Sequence, residues 1–534
     1  MTAEARAPGT TARRAERTGR FAALVAAGIL LSRLFGLVRQ RFLSHYLGLG
    51  PAADAFNAAF RIPNSLQTLF GEGVLSASFI PVYARLLAQG DEKEATRVAN
   101  AVATLLALTM AVLVLLGVLA APLLVDVIVP GFDGAKRDLT VRLVRILFPG
   151  VGILVLTAWC LGVLNSHRRF FLSYTAPVVW NLAIIASLVL YGGRVGQFSL
   201  AVVAAWGAVV GSALQLIVQL PVAIRLLAGF RPVLDTTSAH VRTVVRNFGP
   251  VFLGRGVVQV SGYVDIFLAS LLPVGATAGL ATAQTLYMIP VSLFGMSISA
   301  AELPTMSSAH GDADEVAVAL RTRLDAGLRR IAFLVVPSAA VFLALGDVLA
   351  AALFQTGEFT RRDSVYVWAI LAGSAVGLLA STMGRLYSST YYALHDTRTP
   401  LRFAIVRVTL TITLGYLFAI PLPPLLGVEP RWGVAGLTVS AGIAGWLEFA
   451  LLRRELNRRI GVTGLHSLFV AKLWLAAALS VAVAWGVKLA MGTAHPIVLA
   501  IAAFVPFGIA YFAITGAMRV PESRTLIASL LRRR

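Results

Sequence analysis

Apolar runs, each near the length of a bilayer-crossing helix, recur along the whole chain between short polar, basic or Pro/Gly-containing breaks. A helix needs about 20 predominantly apolar residues to cross the hydrocarbon core. Read at that length, the pattern predicts fourteen spans, at about 21–47, 54–84, 99–130, 140–164, 172–192, 198–228, 246–272, 276–305, 328–355, 364–393, 401–420, 432–452, 467–490 and 495–517. The expected fold class is an all-α polytopic membrane protein.

The breaks are asymmetric. Alternate loops hold Arg85, Lys93 and Arg97; Arg168 and Arg169; Arg225, Arg231, Arg242 and Arg246; Arg321, Arg323, Arg329 and Arg330; Arg398; Arg453, Arg454, Arg458 and Arg459; and the tail "LLRRR". The opposite loops "LGLGPAA", "LLPVGATA" and "MGTAHP" carry no basic residue. Cytoplasmic loops collect Lys and Arg, so both termini are expected in the cytoplasm, with an even number of spans between them.

A faint repeat accompanies this pattern. "FRIPNSLQTLF" (60–70) in the second span resembles "YMIPVSLFGMS" (287–297) in the eighth, and "RRFFLSYTAPVV" (168–179) resembles "YYALHDTRTPLR" (391–402). Two six-helix lobes around a central cavity, followed by two extra helices, fit that spacing, as in transporters built from duplicated halves. The expected organisation is a basic tail at 1–20, an N-lobe at 21–230, a C-lobe at 231–460, a terminal helix pair at 461–520 and a basic tail at 521–534.

Composition narrows the class. The chain of 534 residues is 58% hydrophobic and 13% charged, with a mean hydropathy of +0.81. A soluble protein carries about 25% charged residues. The net charge of +21 is scattered through loops and tails, with no basic tract interleaved with aromatics, which argues against a nucleic-acid partner. One cysteine, Cys160, excludes an internal disulfide framework. The histidines lack metal-ligand spacing, which speaks against a zinc site. The first apolar run is too long for a signal peptide and is interrupted by Arg33, so an uncleaved first span is expected. Every loop is short, leaving no room for the acidic metal-binding pair of a glycosyltransferase that uses a lipid donor.

The informative residues are the polar ones inside the spans, because an arginine at mid-bilayer costs about 2.5–3.5 kcal/mol on insertion scales. The first span contains "SRLFGLVRQRF" (32–42), with Arg33, Arg39 and Arg41. Arg33 and Arg39 lie about 120° apart around a helix and can both border a wide aqueous cavity, with Ser32 and Gly36 leaving room near the backbone. Snorkelling to headgroups is the alternative and suits Arg41 better than Arg33. In the second span Asp54, Asn57, Arg61 and Ser65 share one helix face. Pro63, Gly71 and Gly73 invite bending, as a gate or an irregular packed helix would need; Asn64 lies beside the bend, and Glu72 is a rim or pairing residue. In the seventh span Arg255 stands between two glycines, and Asp265 is either an arginine partner or a cation ligand. Arg33, Arg39, Arg61 and Arg255 outnumber Asp54 and Asp265. Buried like charges repel unless water or an anion joins them, so the pattern points to a hydrated cavity for a polyanionic group. Arginine forks suit diphosphate or carboxylate.

The segments "SRLFGLVRQ", "ADAFNAAFRIPNSLQTLFGEGVLSASFIPVYA", "VPGF" (129–132), "VLNSHRRFFLSYTAPVVWNLAI", "NFGPVFLG" and "LFQTGEFT" (353–360) resemble, in order, the MurJ (MviN) family of lipid II flippases. That family belongs to the multidrug, oligosaccharidyl-lipid and polysaccharide exporter superfamily. The resemblance implies fourteen helices and outward flipping of the undecaprenyl-diphosphate-linked peptidoglycan precursor by alternating access. It places the lipid tail along a groove beside the last two helices, and the protein in the bacterial cytoplasmic (inner) membrane. It assigns substrate contact to Arg33, Arg39, Asp54 and Arg61, matches Glu72 to a family glutamate and puts Asp265 where some members coordinate sodium. The family pattern departs at Gln40, Gln67, Thr285 and Met288, where acids or arginines are expected, and Arg255 could supply one missing charge. Expected partners are lipid II, membrane lipids and the cell-wall synthesis machinery. No cofactor is expected; a sodium ion and the membrane potential are the coupling candidates. The competing readings are an exporter of another lipid-linked oligosaccharide or of drugs, and a non-transporting membrane scaffold.

Overall fold

The computed structural model describes residues 28, 30–227, 229–235, 237–308, 311–492 and 494–525, and among them there is helix and loop but no strand. The basic tail at 1–20 and residues 526–534 lie outside the described residues. Compactness of contacts divides the chain into two units, residues 1–47 with 51–263, and 48–50 with 264–534.

The first unit contains α1 (30–47), α2 (Pro51–Phe70), α3 (Glu72–Ser78), α4 (Ile80–Ala88), α5 (Glu92–Leu119), α6 (Ala121–Ile128), α7 (Gly134–Ser166), α8 (Phe170–Tyr191), α9 (Gln197–Leu226) and the first part of α10 (Ala239–Ser270). Helix α7 is its centre, packed by α2, α5 and α9. Phe79, Val98, Ala99, Val155, Trp159 and Val163 are fully or nearly fully buried there. Trp159 donates its indole N–H to the Ala99 carbonyl at 3.1 Å, so the polar atom of a buried ring is satisfied.

The second unit contains the rest of α10, α11 (Ala276–Pro290), a π-helical turn (Val291–Met296), α12 (Ser297–Ser307), α13 (Ala313–Ala344), α14 (Gly346–Phe354), α15 (Arg361–Ala393), α16 (Arg398–Ala419), α17 (Leu422–Leu425), a 3₁₀ turn (Pro430–Trp432), α18 (Gly433–Ile460), α19 (Ser467–Ala490) and α20 (Pro496–Ala517). Helices α15 and α18 touch at Gly377 and Gly442: a Cβ on Gly442 would stand 2.8 Å from the Gly377 backbone nitrogen. Lipid offers no hydrophobic drive between helices, so close backbone approach through small residues does that work. The terminal pair α19–α20 packs on α13 and α14 and is pinned by polar contacts at two levels. Lys488 reaches Asp347 at 2.7 Å, and Arg329 reaches Glu522 at 2.6 Å.

Eleven helices are long and apolar enough to cross a membrane among the described residues. The other three expected spans fall on α1, on α2–α4 and on α10, which are helical but not among those eleven. Residues 21–27 and 29 of the first expected span lie outside the described residues. Several helices run past their apolar segments. Helix α13 begins at Ala313, where Asp312 accepts from the Glu315 N–H at 2.8 Å, and α5 begins at Glu92 with Asp91 as its cap. Side-chain caps stabilise helix starts in polar surroundings, so these ends are set by capping rather than by hydropathy. Leu108, Val112, Leu115, Leu116 and Leu119 of α5 are all exposed. An apolar face of that size is a liability in water and the ordinary surface of a helix in lipid.

The second span is interrupted at Gly71, one of the three positions where the sequence invites bending. Pro63 is buried inside α2, which runs through it unbroken to Phe70. The interruption comes at Gly71, whose N–H still bonds the Gln67 carbonyl at 2.8 Å, with ψ −131°. In the second unit the matching segment behaves differently: it loses α regularity directly after its proline, Pro290, as the π-helical turn. Such turns are rare and concentrate at functional sites.

Candidate functional site

Helix α1 brings its arginines into different surroundings. Arg33 is exposed, in a stretch where Leu30, Leu31 and Leu34 are exposed too. Ser32 is half-buried, and Gly36 faces open space, with nothing within 4 Å of an added Cβ. Arg39 is half-buried and lies over two aromatic faces, Trp180 of α8 at 4.9 Å and Phe60 of α2 at 5.5 Å. The two rings are themselves in contact, with centroids 5.6 Å apart. Arg39 forms no ion pair among the described residues.

That cradle has a chemical consequence. A cation over a ring is held through its flat face by the ring quadrupole, and each such contact is worth about 0.5–2 kcal/mol depending on burial. The five N–H donors of a guanidinium lie in its plane, so stacking leaves the donor edge for an acceptor. The cradle is fixed from behind, because Trp180 donates its indole N–H to the Ala208 carbonyl of α9 at 3.0 Å. A small cavity beside the rings, about 10 Å³ in volume, is lined by Phe60, Asn64, Trp180, Gly150 and Ser212. It has room for about one water.

The polar face of α2 is partly used up locally. Asn57 donates to the Ala53 carbonyl at 2.8 Å, and Ser65 to the Ile62 carbonyl at 2.8 Å. Asp54 is buried. The Arg61 guanidinium lies against Gly262 of α10, where an added Cβ would displace the flexible end of the arginine. The neighbouring Tyr263 donates its hydroxyl to the Ile62 carbonyl at 3.1 Å. Glycine at 262 thus makes room for the arginine head. Asp54 and Ile62 belong to the same helix, so α2 gathers a buried acid, an arginine and a tyrosine contact within about two turns.

Two candidates fall outside this account: the side chains of Arg255 and Glu72 lie outside the described residues. Asp265 is half-buried in the second unit. No group of three or more His, Cys, Asp and Glu that could hold a metal occurs among the described residues, so a cation at Asp265 would need carbonyl, hydroxyl or amide oxygens for the rest of its shell. At the positions where the family pattern departs, Thr285 bonds its own helix at Ala281, 3.0 Å away, and Gln67 is half-buried.

Sequence reasoning missed the aromatic cradle, although both rings stand in the segments that carry the family resemblance. It also missed an intramembrane ion pair of the second unit, Arg407 of α16 with Glu448 of α18 at 3.1 Å. The signal was present as single charges inside apolar runs, "AIVRVTL" and "GWLEFAL".

The family model described as lipid II flippase MurJ matches residues 43–504. A relative from Burkholderia cenocepacia, named lipid II flippase MurJ, is 33% identical over 443 residues, which is 82% of this chain and 83% of the relative. Among solved structures, a lipid II flippase MurJ in an inward closed conformation superposes with a TM-score of 0.77 at 22% identity, covering 95% of this chain and 100% of that one. An inward-facing multidrug resistance MATE family transporter of the MOP superfamily gives a TM-score of 0.63 at 18% identity, covering 80% and 95%. These two likenesses concern the fold.

Proposed function

Because the chain belongs to the lipid II flippase MurJ family, we propose that it moves the undecaprenyl-diphosphate-linked peptidoglycan precursor from the inner to the outer leaflet of the bacterial cytoplasmic membrane by alternating access. No bond is made or broken in that step. The protein has to hold a diphosphate and sugar head in water while the tail stays in lipid. The reading also places both termini in the cytoplasm.

The observation that carries the reading is Arg39 on its two rings. An arginine pre-set by aromatic faces, with no described carboxylate competing for its donors, suits bidentate recognition of a diphosphate. A drug–cation antiporter is expected to have acids dominating its cavity, whereas the candidates here are mostly arginines. Arg61 beside Gly262 and Tyr263 supplies a second guanidinium, and Arg33 and Arg255 extend the same chemistry. Asp54 balances part of the charge. The bend at Gly71, with Pro63, Asn64 and Glu72 around it, provides the mobile part. Asp265 is the candidate coupling acid for sodium, with the membrane potential as the other drive. Proteins that polymerise the flipped precursor are the natural partners.

Depletion and rescue test this. The chain is expressed in bacteria whose own lipid II flippase is shut off, and growth and outer-leaflet precursor are followed. Restored growth with precursor reaching the outer leaflet is the expected result. Good membrane expression with precursor retained on the inner leaflet overturns the assignment and favours another lipid-linked saccharide.

A further inference from the structure

The end of α18 carries a recess of about 550 Å³, lined by Trp446, Phe449, Ala450, Arg453, Arg454, Asn457 and Arg458. Its lining is layered along the helix. Trp446 and Phe449 meet edge to face at 5.7 Å and lie in the apolar stretch 432–452, the earlier part of the candidate membrane span Pro430–Ile460. The arginines and Asn457 follow one to three turns later, where the sequence turns to "RRELNRR". No carboxylate lines the recess. Glu455, the acid within this stretch, faces Arg458 at 3.2 Å and Arg459 at 3.6 Å.

The lining residues divide into those already engaged and those left over. Arg453 donates to the Thr463 carbonyl at 2.9 Å and so holds the following loop. Asn457 accepts from the Thr463 N–H and hydroxyl through its side-chain oxygen, so what it offers a ligand is its amide N–H pair. Trp446 donates to the Val376 carbonyl at 2.7 Å, which fixes the ring as a wall. Arg454 and Arg458 are exposed; Arg454 forms no ion pair among the described residues, and Arg458 gives only its Nη1 to Glu455, which leaves its other guanidinium nitrogens for a ligand. A planar apolar wall below and three guanidiniums above match a molecule with an apolar body and a phosphate at its polar end.

We propose that this recess binds the phosphate of an anionic membrane phospholipid, with Arg454 and Arg458 as the phosphate contacts, Asn457 donating beside them, and Trp446 and Phe449 against the glycerol and upper acyl chains. Basic pockets at the end of a membrane helix recognise anionic headgroups, whereas a polybasic surface alone gives only diffuse attraction. A soluble anion has no use for the aromatic wall. The site belongs to the second unit and does not depend on which substrate the protein moves.

The test uses the purified full chain in detergent and native mass spectrometry, titrating dioctanoyl phosphatidylglycerol, dioctanoyl phosphatidylcholine and inorganic phosphate separately. The wild type is expected to bind phosphatidylglycerol in preference to phosphatidylcholine. The double variant Arg454→Gln, Arg458→Gln is expected to lose about tenfold or more of the phosphatidylglycerol affinity, with phosphatidylcholine binding and the melting temperature unchanged. A control pair of exposed arginines elsewhere, Arg361→Gln with Arg362→Gln, should leave phosphatidylglycerol binding intact. The proposal fails if the Arg454/Arg458 variant binds phosphatidylglycerol like the wild type, or if the control pair loses as much. It fails equally if inorganic phosphate binds as tightly as the lipid, which would make the recess a soluble-anion site.

Discussion

Removing Trp180 isolates the interaction on which the functional reading rests. The Arg39 guanidinium lies 4.9 Å from the Trp180 ring and 5.5 Å from Phe60. Cation–π contacts run from about 0.5–1 kcal/mol when exposed to about 2 when desolvated. For a half-buried arginine on the better ring, the Trp180 share is about 1–1.5 kcal/mol on that scale. Trp180→Leu also deletes the bond to the Ala208 carbonyl and part of the packing against α9, so the single variant overstates the contact. A double-mutant cycle with Arg39→Gln removes that excess, because the lost bond and packing occur on both sides of the cycle. The assay is unfolding in mixed micelles followed by circular dichroism, with the four proteins compared under one condition. A coupling of about 1 kcal/mol is expected. In the rescue assay Arg39→Lys is expected to fail as badly as Arg39→Gln, since lysine keeps the charge but has neither the flat face nor the planar donor edge. A coupling under about 0.3 kcal/mol, within ordinary additivity error, would refute the cradle, and full rescue by Arg39→Lys would refute its use on a diphosphate.

Other outcomes follow from single features of the packing. Gly442→Ala puts a methyl 2.8 Å from the Gly377 nitrogen, an overpacking cost of about 1–3 kcal/mol only partly offset by about 1 kcal/mol of helix propensity; Gly384→Ala on α15, which meets nothing within 4 Å, should be neutral or stabilising in the same unfolding assay. The Asp235 carboxyl is held down to about 2, first by the Thr237 hydroxyl and N–H, then by the Ser238 N–H and Arg97. Its folded value lies below the unfolded one, so its contribution is complete above about pH 4 and is lost as pH falls toward 2; the melting-temperature gap between wild type and Asp235→Ala should close over that window. Cys160 is fully buried in α7, so a membrane-permeant maleimide should label it only as the first unit unfolds, and labelling of the native protein at the unfolded rate would contradict that packing.

The positions of the long helices were legible because hydropathy over a window of bilayer length is a strong signal, and it owes nothing to tertiary contacts. The interruptions were less so. Pro63, Gly71 and Gly73 were all legible as places to bend, but not which of them would break the helix: a proline is tolerated within a helix when neighbours absorb the distortion, and the break fell at Gly71. Helix ends beyond the bilayer depended on caps such as Asp312, which hydropathy does not register. The chemistry of the arginines was legible only as a deficit of partners. Arg39, Phe60 and Trp180 come from three separate helices, and Arg407 and Glu448 from two, so no spacing rule along the chain could have joined them.

The described arginines show that one costly residue type in a membrane protein can be accommodated in several physically different ways, and the difference sorts structural charges from available ones. Arg407 is paired with Glu448. Removing one partner of such a pair is strongly destabilising, by about 3–5 kcal/mol where it is fully buried, so the charge of Arg407 is tied to its carboxylate. Arg61 sits against a glycine that makes room for its head. Arg39 is compensated through its faces rather than its edge. Only that last arrangement lowers the cost of holding a positive charge in place while leaving the hydrogen-bonding capacity unspent. A carrier that must take up and then release a diphosphate needs this compromise, because a carboxylate strong enough to neutralise the arginine would also compete with the substrate. The rings attract the charge without occupying its donors, and the anion that replaces water on that edge can therefore leave again.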